Sequence, residues 1–300
     1  MTTDAIPVPT RRSENGKGLL LMGLGMFLFS AVDTMAKFLT GDLHAFQIVW
    51  VRQLGLVLGA FILIGWTSGR VLRTTHPRLQ LLRGAVAACS ASLFIFGVTY
   101  VPLADAVAVS FVAPFIVTVL GALLLREPVG FRRWVAVTFG FVGALIVIRP
   151  GLGVVHPAAF LIVLAAFFFA IRQVISRALS DSDRTSTTVV YTALVSVGVL
   201  TLPMLFVWKT PTPDQMLVLS AMAVVAAIAE VCVIKALELA MAVVVAPMQY
   251  TLIIWGTFYG WVIFDQLPDN WTWLGTALIV ATGLYTLRRE YVVKEKTHGN

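Results

Sequence analysis

The sequence predicts an all-α integral membrane protein, with ten transmembrane helices arranged as two inverted five-helix repeats. Three observations carry this prediction: a mean hydropathy of +0.90, a series of ten long apolar runs, and an internal similarity between the two halves at one constant shift along the chain. The 300 residues are 59% hydrophobic and 12% charged, whereas soluble domains average about 45–50% apolar and about 25% charged residues. The excess of apolar residues favours lipid as the surrounding solvent.

The ten apolar runs are each long enough to cross the hydrocarbon core of a bilayer, which requires about 20 mostly apolar residues per helix. Short polar or turn-forming stretches separate them, and no connection is long enough to hold a soluble domain. The runs also lack the period-two alternation of a transmembrane β-barrel. The predicted helices span 18–39, 44–66, 79–99, 104–125, 131–149, 157–179, 185–207, 215–237, 243–264 and 271–288.

The distribution of lysine and arginine predicts the orientation, because cytosolic loops carry an excess of these residues. If the N-terminus lies in the cytosol, seventeen of them fall on the cytosolic side and three, Lys37, Arg149 and Lys209, fall on the other side. Arg52 and Arg172 lie within helices. Both termini are therefore expected in the cytosol. The formal charge of +7 reflects topology, since a nucleic-acid-binding protein concentrates its basic residues on one face.

A single shift, the one that places Phe29 on Phe168, superposes the first five predicted helices on the last five without a gap. The same shift places Trp134 on Trp273. Five is an odd number, so the second half enters the membrane from the opposite side. Such inverted repeats are typical of secondary transporters, whose substrate site lies near the midplane between the halves. The predicted segments are a cytosolic tail at 1–17, a first repeat at 18–149, an extracytoplasmic linker at 150–156, a second repeat at 157–288 and a basic cytosolic tail at 289–300.

One stretch, 98–151, combines a short connection, Pro114 inside a helix, a Glu-Pro pair at 127–128 and an Arg-Pro-Gly at 149–151. It resembles the EamA half-repeat of the drug/metabolite transporter (DMT) superfamily. Residues 238–290 resemble the same unit, although a Gln-Leu pair replaces the Glu-Pro pair there. The resemblance implies a ten-helix basket in which the fifth and tenth helices are peripheral. It also implies a central cavity lined mainly by the first, third, fourth, sixth, eighth and ninth helices.

The ten-helix layout and the aromatic-rich ninth helix are similar to the YddG-like amino-acid exporter subgroup. This similarity implies a secondary transporter that exports aromatic and other neutral amino acids across the bacterial inner membrane by alternating access. The superfamily also includes carriers for riboflavin, S-adenosylmethionine, nucleotide-type solutes and drugs, and these substrates remain alternatives. A channel is a further alternative, which counterflow measurements would distinguish from a carrier.

Charged residues within the predicted helices are candidates for substrate binding or gating, because a charge at the bilayer centre costs at least about 2.5–3.5 kcal/mol. At a rise of about 1.5 Å per residue, depth predicts an outer cluster of Asp33, Lys37 and Arg52 and an inner pair of Arg172 and Glu230. Lys37 lies one turn from Asp33, so their side chains could touch. These clusters either bind the carboxylate and ammonium of a zwitterion or lock helices together. For Arg52 the structural ion pair is the favoured interpretation.

Pro114 predicts a break in the fourth helix, because proline has no amide hydrogen to donate to the carbonyl four residues earlier. Such a break can present a carbonyl to a cavity, and a simple packing kink is the alternative. Four aromatic residues are candidates for a cavity that accepts an apolar or aromatic side chain: Tyr100, Tyr250, Trp255 and Tyr259.

No catalytic residue, cofactor or metal site is predicted. The four histidines fall in loops or tails without metal-ligand spacing, and no Ser, His and Asp meet at one predicted depth. We therefore expect a transporter rather than an enzyme. Its expected partners are an amino-acid substrate and the lipid bilayer, and a monomer is expected. Asp33 and Glu230 are the two deeply placed carboxylates that could carry a coupling proton.

Overall fold

A computed structural model describes residues 15–66, 70–124, 130–149, 156–179, 182–240 and 245–298. The predictions for Glu127, Pro128 and most of the 1–17 tail and the 150–156 linker lie outside the described residues. Within them the chain is helical and contains no strand. The α-helices are α1 Asn15–Leu39, α2 Ala45–Trp66, α3 Pro77–Tyr100, α4 Leu103–Ser110, α5 Ala113–Leu124, α6 Phe131–Ile148, α7 Ala159–Leu179, α8 Thr185–Val207, α9 Pro213–Leu239, α10 Thr251–Phe264 and α11 Asn270–His298, with 3-10 segments at Arg70–Leu72 and Ala246–Tyr250.

Six helical stretches in the described residues are long and apolar enough to cross a membrane, and α4 and α5 together form one of them, Leu103–Leu124. Two shorter apolar helices, Ala45–Phe61 and Trp134–Ile148, add to these. The predicted all-α, multi-pass membrane fold is therefore confirmed. The number of ten spans and the side on which each terminus lies remain predictions.

The helix boundaries repeat at the predicted shift. Moved along the chain by that shift, α1 covers 154–178, and α7 is observed at Ala159–Leu179. Likewise α6 moves onto 270–287, and α11 begins at Asn270. At the C-terminal end the halves differ, because α11 continues to His298, so most of the predicted tail at 289–300 is helical.

The fourth helix of each half is interrupted. In the first half, α4 ends at Ser110 and α5 begins at Ala113, which is the break that Pro114 predicts. In the second half, the 3-10 segment Ala246–Tyr250 precedes α10. Phe111 and Tyr250 are repeat equivalents, and their rings stack with centroids 4.9 Å apart. Equivalent residues of an inverted repeat meet only on its pseudo-two-fold axis, so this stack marks that axis.

Eight segments pack in a closed order around the axis. Following the contacts, α1 packs on α9, α9 on α2, α2 on α8, α8 on α3, and α3 on α7. The ring closes because α7 packs on α4 and α5, α4 packs on α10, and α10 packs on α1. The helices α6 and α11 pack mainly on each other outside this ring. This arrangement has the peripheral fifth and tenth helices that the family resemblance implies.

Small residues let the helices approach closely, as is typical of membrane interfaces. A Cβ added to Gly55 of α2 would collide with the carbonyl oxygen of Ala223 in α9. A Cβ on Gly275 of α11 would lie 2.6 Å from the carbonyl oxygen of Gly143 in α6. Any side chain at Gly55 or Gly275 would therefore push the two backbones apart.

The two ends of the ring differ. At one end α1 and α2 pack across the ring onto α3, whereas their equivalents α7 and α8 do not pack closely on α9 in the described residues. Val98 of α3 is fully buried, but its repeat equivalent Leu237 of α9 is 46% exposed. The end of the ring where α3 terminates is therefore closed. We call the opposite end, where the described residues lack the equivalent contacts, the open end.

Candidate functional site

Asp33 and Arg52 form an ion pair inside the ring. The Asp33 Oδ1 atom lies 3.7 Å from the Arg52 Nη1 atom, and their side chains are 15% and 18% exposed, respectively. The pair joins α1 to α2, two helices that are separated in the ring by α9. The sequence predicted this contact.

Breaking this pair is expected to destabilise the protein. Removing one partner of a buried ion pair leaves the other charge uncompensated and typically costs about 3–5 kcal/mol, whereas removing both is far less costly. Asp33→Asn should therefore lower the unfolding temperature in detergent, and the double variant Asp33→Asn/Arg52→Gln should recover most of the loss. Asp42→Asn, at an exposed carboxylate bonded to Gln215, is the control. Equal destabilisation by the single and double variants would contradict this expectation.

Lys37 does not join Asp33, contrary to the prediction from helical spacing. Its Nζ donates a hydrogen bond to the carbonyl oxygen of Val101 at 2.5 Å, and it lies 5.4 Å from the ring centroid of Phe264. Val101 caps the C-terminal end of α3, where carbonyl groups lack helical partners and the helix dipole favours a cation. The bond ties α1 to α3 at the closed end of the ring.

Arg172 and Glu230 interact electrostatically, but they form no ion pair in the described residues. The helix-locking ion pair, one of the two alternatives, is therefore not observed, and substrate binding or gating by these residues stays a prediction. The Nε atom of Arg172 is buried without a hydrogen-bond partner, and the guanidinium carbon lies 4.6 Å from the ring centroid of Phe169. The two side chains thus present opposite charges to the ring interior, and neither neutralises the other by direct contact.

Arg83 interacts with Arg172 and Glu230 as well, although its sequence position predicted a cytosolic segment. The structure places it in α3, where its Nε donates to the Ser176 hydroxyl of α7 at 2.7 Å. Its Nη1 donates to the Thr188 carbonyl and the Thr192 hydroxyl of α8. Glu230 attracts Arg83, and Arg172 repels it. Arg83 lies near the cytosolic start of the predicted helix at 79–99, where an arginine is expected from the orientation rule. The sequence therefore did not indicate it as a site residue.

These residues form one electrostatic group. Glu230 attracts Arg52, Arg83 and Arg172, and Arg52 also pairs with Asp33. They come from α1, α2, α3, α7 and α9, which lie on different sides of the ring, so their side chains must converge in its interior. The two separate clusters that depth predicted are therefore connected through Arg52. We refer to Asp33, Arg52, Arg83, Arg172 and Glu230 as the interior charge group.

The predicted aromatic residues lie elsewhere. Trp255 and Tyr259 pack on Phe27 of α1, with ring centroids 4.9 Å and 5.6 Å away. Tyr250 stacks on Phe111 at the pseudo-two-fold axis. Tyr100 is 57% exposed and stacks on His156 at the closed end of the ring. The structure thus brings Trp255 and Tyr259 together and separates Tyr100 from both.

At the open end, Asp183 ties three segments together. It accepts hydrogen bonds from the Thr74 hydroxyl at 2.5 Å, the Gln80 amide at 2.7 Å and the Thr75 backbone amide at 3.3 Å. Burial raises the pKa of Asp183, but these hydrogen bonds outweigh it and hold the pKa below its ordinary value. The stabilisation from this depressed pKa is present above the unfolded-state pKa and is lost as the pH falls through the folded-state pKa.

The described residues contain no cluster of three or more His, Cys, Asp or Glu side chains that could hold a metal ion. The candidate site is the charged interior of a closed ring of helices, with two interrupted helices at its axis and one open end.

One family model matches this chain twice, over residues 16–149 and 156–288, and its description is EamA-like transporter family. The chain belongs to the EamA-like transporter family. The resemblance of 98–151 and 238–290 to the EamA half-repeat is confirmed.

Two relatives extend the similarity over most of the chain. One is the S-adenosylmethionine uptake transporter of Rickettsia felis, 27% identical over 286 residues, or 93% of this chain and 96% of the relative. The other is the riboflavin transporter of Vibrio cholerae, 34% identical over 211 residues, or 70% of this chain and 71% of the relative. These names do not support a specific similarity to amino-acid exporters. The superfamily assignment stands, and the YddG-like subgroup is not supported.

A solved crystal structure shares the fold. It superposes with a TM-score of 0.61 and covers 91% of this chain and 98% of its own, at 16% sequence identity. This similarity supports the fold, and the family match identifies the chain as a membrane transporter of the EamA type. The named relatives are transporters, which is consistent with the prediction that the chain is not an enzyme.

Proposed function

We propose that the chain is a secondary carrier that moves small metabolites bearing an amino-acid group across a bacterial inner membrane by alternating access. The observation that carries the proposal is the separation of Arg172 and Glu230. Buried charges in proteins are normally paired, yet these two face the ring interior without direct contact. A zwitterion would give each of these charges a partner of opposite sign, with its carboxylate at Arg172 and its ammonium group at Glu230.

The substrate class follows from this geometry together with the relatives. Neutral and aromatic amino acids carry the required zwitterion, and so does S-adenosylmethionine, the compound named for the Rickettsia felis relative. Riboflavin, named for the Vibrio cholerae relative, has no amino-acid group and would not use the Arg172–Glu230 pair. Export of aromatic amino acids is thus one form of the proposal and S-adenosylmethionine transport is the other. The direction of net transport by either follows the prevailing gradients.

The proposed topology has ten spans, with α4 and α5 forming one span and the Ala246–Tyr250 segment and α10 forming another. Both termini lie in the cytosol, so the closed end of the ring faces outward and the open end faces the cytosol. The protein then adopts an inward-open state. A monomer suffices, because each chain contains both halves of the repeat. Asp33 and Glu230 are the proposed carriers of a proton, should transport be coupled to one.

Counterflow in proteoliposomes tests the function. Purified protein is reconstituted into vesicles preloaded with unlabelled phenylalanine, S-adenosylmethionine or riboflavin, and uptake of the same labelled compound is followed. A transient, saturable accumulation of phenylalanine or S-adenosylmethionine supports a carrier of the proposed class. Counterflow of riboflavin alone would refute the amino-acid requirement. Flux without counterflow would indicate a channel instead.

A further inference from the structure

The interior charge group is not electrically balanced. It contains three guanidinium groups, Arg52, Arg83 and Arg172, against two carboxylates, Asp33 and Glu230. Charges at the closed end have partners of opposite sign there. There Lys37 interacts with Asp105, and Arg149 Nη2 lies 2.6 Å from Asp269 Oδ2. The excess of one positive charge therefore belongs to the ring interior.

The unbalanced positive charge of the interior charge group lies at Arg172. Arg52 has Asp33 as an ion-pair partner, and Arg83 donates to Ser176, Thr188 and Thr192. Arg172 has neither kind of contact in the described residues, and its Nε is buried without a hydrogen-bond partner. Arg52 and Arg83 both repel it. An uncompensated guanidinium away from water is costly, and a ligand anion with two oxygens matches its planar, bidentate donors.

Glu230 is in the opposite situation. Three guanidinium groups act on this one carboxylate, although none of them forms an ion pair with it in the described residues. A ligand ammonium group placed beside Glu230 would gain the attraction of that carboxylate and suffer the repulsion of the three cations. The two halves of a zwitterion therefore do not contribute equally to binding.

We propose that the interior charge group requires the carboxylate of its ligand and not the ammonium group, so that the site also takes organic monocarboxylates with an apolar tail. This proposal rests on the proposed function only in assigning both ligands to the same site. It predicts a further class of transported or inhibitory compound, the arylalkanoate anions. It also predicts that the corresponding amines, which bear only the ammonium group, are excluded.

Three compounds with the same phenyl ring separate the two charges: L-phenylalanine, 3-phenylpropionate, which lacks the ammonium group, and 2-phenylethylamine, which lacks the carboxylate. Binding to the purified full-length protein in detergent at pH 7 is measured by calorimetry and by the shift in unfolding temperature. We expect 3-phenylpropionate to bind within about threefold of phenylalanine and 2-phenylethylamine to bind at least tenfold more weakly. Equal or tighter binding of the amine would overturn the proposal.

Variants make the test specific to Arg172. Arg172→Gln should abolish the preference for the anion, and Arg172→Lys should retain part of it, because the charge is kept but the bidentate geometry is lost. Arg177→Gln, at an exposed arginine of the same helix, should leave the preference unchanged. Persistence of the preference in Arg172→Gln would overturn the assignment to this residue. The readout is independent of transport: an anion preference without counterflow would refute the carrier function alone, and counterflow without the preference would refute the charge argument alone.

Discussion

Replacing Arg172 by glutamine is expected to reduce counterflow of an amino-acid substrate by about 10- to 100-fold at low substrate concentration. A hydrogen bond to a charged group contributes about 1.5–3 kcal/mol, and about 1.4 kcal/mol corresponds to a factor of 10 in affinity. Because Arg172 lacks an ion-pair partner in the described residues, this substitution leaves no partner stranded. The loss should therefore be in function, with the amount of folded protein in the membrane unchanged.

The kinetic form of the loss distinguishes binding from a general structural effect. If Arg172 holds the substrate carboxylate, Arg172→Gln should raise the apparent KM of counterflow, and Arg172→Lys should restore part of the affinity. Arg177→Gln is the matched control, with the same change of residue type further along the same helix. Wild-type kinetics from Arg172→Gln would remove this residue from the transport mechanism.

The sequence alone predicted the features that depend on local pattern. Apolar runs predicted most helix ends to within a few residues, with the C-terminal end of α11 as an exception. Pro114 predicted the interruption between α4 and α5, because a missing amide hydrogen has the same consequence in any context. In the second half the proline, Pro247, lies within the 3-10 segment itself and not at the matching position. Ile253 stands where the repeat shift places the equivalent of Pro114, and the observed 3-10 segment ends before it, at Tyr250.

Long side chains were predicted less well than backbone positions. Asp33 and Lys37 lie on one face of α1, as their spacing requires, yet the lysine nitrogen extends to the end of α3 and bonds Val101. The spacing rule describes which residues can touch within one helix. It contains no information about an unpaired carbonyl at the end of a neighbouring helix. Arg83 was missed for a related reason, since its hydroxyl partners on α7 and α8 are distant in sequence.

The internal repeat provides two equivalent sets of helices, one for each end of the ring. A chain that can close one end of the ring through α1, α2 and α3 contains the equivalent segments α7, α8 and α9 at the other end. Exchanging the two arrangements between the halves would open the closed end and close the open one. The stack of Phe111 on Tyr250 lies on the axis of this exchange, so it can be kept while the ends move. The interior charge group would then face each side in turn.

Two cysteine substitutions at repeat-equivalent positions are expected to report this asymmetry directly. On a background without Cys89 and Cys232, the variants Val98→Cys and Leu237→Cys occupy the same place in α3 and α9. Val98 is fully buried and Leu237 is 46% exposed. A charged maleimide reacts only with thiols that water can reach, so it should label Leu237→Cys at least tenfold faster than Val98→Cys in purified protein.

The same labelling measurement also tests the orientation of the protein in the membrane and the effect of a substrate. In sealed vesicles, labelling of Leu237→Cys should require access from the cytosolic face if the proposed topology holds. A transported substrate should slow this reaction and accelerate that of Val98→Cys, because alternating access shifts the population toward the opposite state. Since the two sites differ only in the half of the repeat that carries them, local sequence cannot explain a reciprocal change. Equal labelling of both cysteines, or changes in the same direction, would contradict an inward-open state that exchanges with its mirror arrangement.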